Sequence, residues 1–388
     1  MAHIYGLDEA GQRVAATAAD IATSTLAPQA ASVDSAARFP EEAVAVLAAA
    51  GLLGLGVVPA LGGQGQGPGS FAAVVEELAR ACGSTAMVYV MHVTAAQAIA
   101  ASSTLTARDD LLRAMAAGRH LTTLALSERG SRSQFWAPVS RCERDDGGYR
   151  TSAAKSWVTS AAHADSYVAS AQAPGATTPL ETVLYLVRQG ATGVQATAGF
   201  DGLGLRGNDS RPVAIDGLRL RPGDLVSSPD GGTKVTLEVI LPWFALGTAA
   251  MANGLCRAAV ADTAGHLAGQ GFEHTGTKLR DLPTLRARLA HMSIRTEQAR
   301  ALLGRAVAAV SAGEEGAMVT VLQARCSSLE AATEVTDLAM KACGGAAFSK
   351  HLAVERLFRD ARAGWVMAPT VDHLHDFIGK ALTGLPLF

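Results

Sequence analysis

Cysteine, net charge and long apolar runs are all scarce in this chain, and each scarcity closes off a class of function. Five cysteines in 388 residues (Cys82, Cys142, Cys256, Cys326 and Cys343) are odd in number and far apart. That rules out a disulfide framework or a short-spaced zinc motif and fits the reducing cytoplasm. Lys and Arg total 33 against 35 Asp and Glu, a net charge of -2, and the basic residues are dispersed. Neither nucleic acid nor an anionic membrane surface is an expected partner on that balance. The opening MAHIYGLDEAGQRVAATAADIA has acidic and polar residues where a signal peptide needs a basic flank and an apolar core. The most apolar stretches are Ala-rich and broken by Gly or charge, so the reading expects no run of about 20 strongly apolar residues and no membrane insertion. No GxGxxG after a strand, no phosphate loop and no Ser-His-Asp order is readable, which excludes a Rossmann-type dinucleotide domain and a triad hydrolase.

What is present is a hydrophobic fraction of 49% with 18% charged residues, enough for a large core spread over more than one domain. Residues 1–120 read as helices separated by Gly/Pro loops, with Ala43–Gly51 and Phe71–Ala81 as helical segments and GLLGLGVVPALGGQGQGPGS as a connector. Residues 121–225 change to short β-prone segments, such as Asp165–Ala169 and Thr182–Val187, between turn clusters at Asp145–Gly148, Pro174–Thr178 and Gly207–Ser210. Residues 226–388 return to the helical period in long segments: Ala245–Leu267, Leu282–Ala312, Gly316–Ala342 and one ending near Leu382. Composition and periodicity alone give a mainly α chain with an inserted β domain.

Six segments carry more. Gly51–Gly63 (GLLGLGVVPALGG), Cys82–His92 (CGSTAMVYVMH), Leu124–Gln134 (LALSERGSRSQ), Lys155–Ala171 (KSWVTSAAHADSYVASA), Phe200–Leu220 (FDGLGLRGNDSRPVAIDGLRL) and Leu357–Thr370 (LFRDARAGWVMAPT) follow one another in this order. Together they resemble the acyl-CoA dehydrogenase superfamily of flavoproteins. That resemblance implies an N-terminal helical domain, a β-barrel-like middle domain and a C-terminal four-helix bundle, with FAD at their junction.

The resemblance also assigns residues. Leu126 and Ser127, at a strand end and the loop after it, would offer backbone N–H groups and a hydroxyl to the flavin pyrimidine, which becomes negative on reduction. Ser133 would lie near the pyrophosphate or the substrate's polar tail. Trp157 would pack beside the isoalloxazine and Thr159 would reach its N5 edge. Gly344 and Gly345 match a Gly-Gly that reaches a neighbouring subunit's cofactor, and Thr370 and Asp372 match positions touching the flavin. The plain alternatives are a turn after a strand for Leu126–Ser133 and core packing for Trp157.

Four departures from the family pattern stand out. The run after Arg359-Asp360-Ala361 ends Met367-Ala368-Pro369-Thr370 where the family has Tyr-Glu-Gly-Thr, so the glutamate that removes the substrate's α-proton is Ala368. Other members place that base on the helix after the β domain, a position that here falls at Phe244. The arginine many members use for CoA corresponds to Ala245. The Arg-x-x-Phe-Gly segment that reaches a neighbour's FAD reads Phe272-Glu273-His274-Thr275-Gly276, and its partner Gln has become Lys341.

A well-placed carboxylate contributes roughly 10²–10⁴-fold to such a proton abstraction, so a substitute is expected. Asp372, His375 and Asp376 would share one helix face, with His373 turned away. His92, on the tunnel-lining helix beside Met91, is the other candidate. Flavin monooxygenases of this fold lack the Glu and carry a histidine there, directed at flavin-bound oxygen. The plain reading of His92 is a core histidine satisfied by a backbone carbonyl. Trp243 and Phe244 would wall the substrate pocket with Met91, His92 and Ala368, or simply pack at a helix start. The remaining histidines show no metal-ligand spacing, and His373 and His375 fall on different helix faces.

Three functions remain open on these residues. The first is FAD-dependent oxidation of an acyl thioester or related carbonyl compound, passing electrons to an electron-transfer flavoprotein. The second is a monooxygenase fed FADH2 by a separate flavin reductase. The third is a homologue that holds flavin or ligand without catalysis. The resemblance implies a homodimer or homotetramer.

Overall fold

A computed structural model describes residues 3–387. The N-terminal third is helical: α1 (Glu9–Ile21) runs through a π-helical stretch at Ala22–Leu26 into α2 (Ala27–Ser35), followed by α3 (Glu41–Ala49), α4 (Pro68–Ala81), α5 (Gly83–Ala100) and α6 (Arg108–Ala116). Asp8 starts α1 by accepting the Gly11 N–H at 2.7 Å, satisfying one of the donors a helix start leaves unpaired. Pro68 starts α4 at a position where its missing N–H costs nothing. The connector before it is made of two short 3₁₀ turns, Leu52–Gly54 and Pro59–Leu61. Helix α5 is buried on all sides from Gly83 to Ala96, as a helix wedged between a sheet and other helices must be.

Seven strands follow: β1 (Thr122–Ala125), β2 (Arg141–Asp145), β3 (Gly148–Val158), β4 (Ser166–Gln172), β5 (Thr182–Arg188), β6 (Val194–Ala196) and β7 (Arg211–Leu220). Along the sheet they run β1-β4-β2-β3-β7-β6, with β5 paired to β4. β1 and β4 are parallel, Thr122 opposite Ser166, whereas β3 and β7 form a long antiparallel pair. A separate apolar cluster that includes Tyr167, Tyr185, Val187 and Val213 fills this domain.

The C-terminal part contains α7 (Gly232–Val235), α8 (Leu241–Gly269), α9 (Pro283–Ser311) and α10 (Ala317–Cys343), then α11 (Gly345–Phe348), α12 (Val354–Ala361), α13 (Ala363–Val366) and α14 (Val371–Leu382). Helices α8, α9 and α10 pack along their lengths, and α8 also lies against α4 and α5. The run Gly232–Gly269 is long and apolar enough to cross a bilayer, which corrects the expectation that no such stretch exists. Two-thirds of its most apolar window (67%) is buried inside the protein, so its apolarity serves the core. The chain has the expected fold: helices, a curled sheet, then a helical bundle.

One residue pair joins the three parts. Arg359 grips both carboxylate oxygens of Asp34 (2.8 and 2.6 Å), bonds Glu355, and donates to the Leu203 carbonyl (3.1 Å). Next to it, Asp360 accepts the Leu205 N–H at 2.6 Å. The β-domain loop approaches so closely that a Cβ on Gly204 would sit 2.3 Å from the Arg359 carbonyl oxygen, and only glycine fits there. The Arg-Asp-Ala signature is thus a clamp, with no reacting group in it.

Because both partners of the Arg359–Asp34 pair are largely buried, truncating one strands the other. Arg359→Ala should lower unfolding stability by on the order of 3 kcal/mol, read as a shifted urea midpoint. A shift under about a third of that size would show that the pair holds nothing.

Candidate active site

The β-domain wall of the site is built on a bulge. The β3–β7 register slips between Lys155 and Val158, which turns Trp157 out of the sheet at φ +58°. A bulky residue in the left-handed region costs on the order of 1–3 kcal/mol. The indole it presents is 60% exposed and stacks on Phe200 with ring centroids 3.9 Å apart. Strain spent on displaying a large flat apolar surface is a mark of a ligand site. Thr159 follows, buried, with its hydroxyl 3.5 Å from that of Ser210.

The loop after β1 lies alongside. The Ser127 carbonyl accepts the Ser156 N–H at 2.9 Å, tying the loop to the residue before Trp157. Leu126 is buried and Ser127 and Ser133 are half-buried; among the described residues neither serine hydroxyl takes a hydrogen bond. The loop is held by a pair that the sequence reading passed over. Buried Lys155 meets Glu128 at 2.6 Å, and Glu128 also accepts the Val139 and Ser140 N–H groups, both at 2.7 Å. Burial opposes ionisation of Glu128, but the Lys155 ammonium and these donors hold its carboxyl below the usual range. Each residue sits inside one of the six motif segments, and a buried strand lysine needs a buried partner, but nothing local in the sequence says which carboxylate that is.

The helical wall is unlike the β wall. Ala368 brings no ionisable group, and the carbonyls of Met367 and Ala368 accept from Nη2 of Arg325, at 3.1 and 3.4 Å. The Arg325 guanidinium lies 5.0 Å over the Phe244 ring, and Trp243 tilts against Phe71 at 5.3 Å. Thr370 caps α14, accepting the His373 N–H. Asp372 is exposed in the first turn of α14, where a negative charge favours a helix start. Thr370 and Asp372 line a cavity of about 730 Å³ together with Arg295, Glu334, Asp337, Arg362 and Trp365.

His375 is exposed and pairs with Glu330 at 3.2 Å; it and Asp372 share a solvent-facing side of α14, as helical spacing requires. Cys326, Glu330 and His375 do come within 4.8 Å of one another, a grouping across two helices that sequence spacing did not announce. Burial pushes the Cys326 thiol up to about 12, so at neutral pH it stays protonated. Gly344 closes α10 and Gly345 opens α11; Gly344 is nineteen residues beyond Arg325 and so about 28 Å along the helix. Within one chain they do not join the other predicted residues.

His92 has no free nitrogen. It is fully buried; Nε2 lies 2.8 Å from the Leu53 carbonyl and Nδ1 accepts the Thr122 N–H at 3.1 Å. The ring therefore stitches α5 to the connector and to β1. Met91 beside it is also buried. Burial lowers the His92 pKa to about 4, so the ring is neutral throughout the physiological range.

With this geometry in place, comparison with known proteins is direct. Three family models match in order: the N-terminal domain of acyl-CoA dehydrogenase over residues 8–119, its middle domain over 123–218 and its C-terminal domain over 230–382. The chain belongs to the acyl-CoA dehydrogenase family. It is 26% identical over 363 residues to a probable acyl-CoA dehydrogenase of Mycobacterium leprae, covering 92% of each chain. Among solved structures it resembles butyryl-CoA dehydrogenase from Megasphaera elsdenii, with a TM-score of 0.91, 22% identity and coverage of 97% and 99%. It resembles an FAD complex of PigA with a TM-score of 0.90, 18% identity and coverage of 97% and 98%.

The buried neutral His92 gives a pH prediction. Its folded pKa lies below the unfolded value near 6.5, so its stabilisation is complete above 6.5 and is lost as pH falls toward 4. The loss amounts to about 3 kcal/mol at about 1.4 kcal/mol per pH unit. His92→Gln should be less stable than wild type at pH 7, yet lose less stability between pH 6.5 and 4.5. Parallel pH profiles of the two proteins would refute a buried, neutral role.

Proposed function

We propose that this protein is an FAD-dependent oxidoreductase acting on an acyl thioester or related carbonyl compound, with the isoalloxazine against Trp157. The observation that carries the reading is the strained, exposed indole on the β3 bulge, beside a loop with unengaged serine hydroxyls. The residues present fit a flavin. Trp157 offers a stacking face, Ser127 and the backbone after β1 offer donors, and Thr159 and Thr370 mark the two sides. A bound flavin would supply hydride-accepting chemistry toward a substrate carbon. The chain's part is to orient the ring, exclude water with its helical wall, and place the substrate carbon between the Trp157 and Ala368 sides.

Proton removal is where this chain differs from its relatives' pattern. Neither position 368 nor position 244 supplies a carboxylate, Asp372 and His375 face solvent, and His92 is fully engaged. This favours a substrate whose proton is more acidic than that of a simple thioester. It equally suits reaction of reduced flavin, delivered by a separate reductase, with oxygen, since that chemistry needs no carboxylate base. Exposed Trp365, Val366, Ile294 and Phe348 on the helical part support burial against a second copy.

Two measurements test the reading. Trp157→Gly relieves the left-handed strain, so the flavin-free protein should keep its stability within about 1 kcal/mol. FAD affinity should fall at least about tenfold, a loss of about 1.4 kcal/mol. Equal affinity in the two proteins would remove Trp157 from the flavin site. Ala368→Glu, loaded with FAD and mixed anaerobically with butyryl-CoA, should bleach the flavin faster than wild type. If it bleaches no faster, the missing carboxylate is not what separates this site from its relatives.

A further inference from the structure

The charge at this site is the wrong way round. Arg325 is fully buried, and a guanidinium removed from water is normally matched to a carboxylate. Among the described residues none pairs with it. Nε donates to the Thr248 hydroxyl at 3.1 Å, Nη2 donates to the Met367 and Ala368 carbonyls, and Nη1 is buried with no acceptor at all. Burial lowers its pKa to about 9, which leaves it cationic at neutral pH. One turn along α10, on the same face, the Ser328 hydroxyl is also buried without a partner. The guanidinium sits between Phe244 and Ala368, both only partly covered. Two polar groups one turn apart on α10 are thus buried without a partner among the described residues, one of them beside Phe244 and Ala368.

We propose that Arg325 is the counter-ion for a carboxylate carried by the ligand, so that this site takes a small organic anion with an apolar body. The reading rests on the proposed substrate site beside Ala368 and adds the substrate's charge. The carboxylate would accept from Nη1, the one guanidinium nitrogen not already engaged, while the Phe244 ring covers the apolar part. The interaction is a positioning contact, and no bond is made or broken at Arg325. A ligand that supplies the missing anion also removes the cost of an uncompensated buried cation, which gives the site a preference for acids over their neutral analogues.

The test uses butyrate and benzoate against 1-butanol and benzyl alcohol, titrated calorimetrically into chloride-free protein with and without FAD. Wild type should bind at least one acid about tenfold or more tighter than its alcohol, the range expected for a charged hydrogen bond. Arg325→Met should abolish that preference, and Arg325→Lys should keep part of it. Thermal melting shows whether each variant is folded. If Arg325→Met fails to fold, the wild-type acid–alcohol comparison decides alone. Equal affinity for acid and alcohol, no binding of either acid, or an unchanged preference in folded Arg325→Met would overturn the proposal. Failure of FAD to bind would instead sink the flavin reading, because titration of the flavin-free protein still reports on Arg325.

Discussion

The structure turns on the contact that Arg359 and Asp360 make with the other two domains. A helical domain, a curled sheet and a bundle have separate reasons to fold, but any site built between them would require their relative positions to be fixed within a fraction of an ångström. Arg359 achieves this by bonding a side chain from α2, a side chain from its own helix and a backbone carbonyl from the β domain. Asp360 adds a backbone N–H from the same loop. Backbone groups cannot change rotamer, so two of these contacts define position as well as attraction. Burial raises the Asp360 carboxyl to about 6, the cost of placing a carboxylate where it can grip that loop. The segment from Ala361 to Thr370 follows directly, so the clamp also sets where that segment lies.

On the opposite wall, a second buried pair does the equivalent task at shorter range. Lys155 and Glu128 are covered, and each is bonded to backbone as well as to the other. Such a pair is weak evidence for stability, since two charges must be desolvated. Its effect is geometric: Lys155 belongs to the strand that bears Trp157 two residues later, and Glu128 to the loop bearing Ser127 and Ser133. Fixing one against the other aligns a stacking surface with a set of hydrogen-bond donors. The bulge then turns the indole outward, between the paired positions Lys155–Val213 and Val158–Arg211 that flank it.

How far the sequence discloses this depends on range. Helices with a strong apolar period are legible nearly to their ends: Phe71–Ala81 lies in Pro68–Ala81, and Leu282–Ala312 exceeds Pro283–Ser311 by one residue at each end. The order of motifs disclosed the family because each motif is local. Pairings across the chain were not legible. Nothing near Arg359 in sequence names Asp34, 325 positions away, and nothing near Lys155 names Glu128. His92 shows the same limit, since its two partners, Leu53 and Thr122, lie on separate elements. Trp157 was singled out by its motif, but its exposure and backbone strain come from a register slip that no local pattern encodes.

Arg325 joins these threads, because it is invisible in the sequence for the same reason and sits against Ala368, where the family resemblance implies a carboxylate. A carboxylate at 368 or 244 would place an anion beside the guanidinium and close the local charge balance within the protein. With alanine and phenylalanine there, the balance can close only from outside, or the cation remains costly. The backbone carbonyls of Met367 and Ala368 offset part of that cost, as dipoles do around a buried charge. They leave Nη1 unserved. A methionine of similar volume would pack behind these two uncharged side chains at lower cost than a buried cation. A buried cation with no carboxylate beside it among the described residues is therefore the observation on which the proposed charge of the ligand rests.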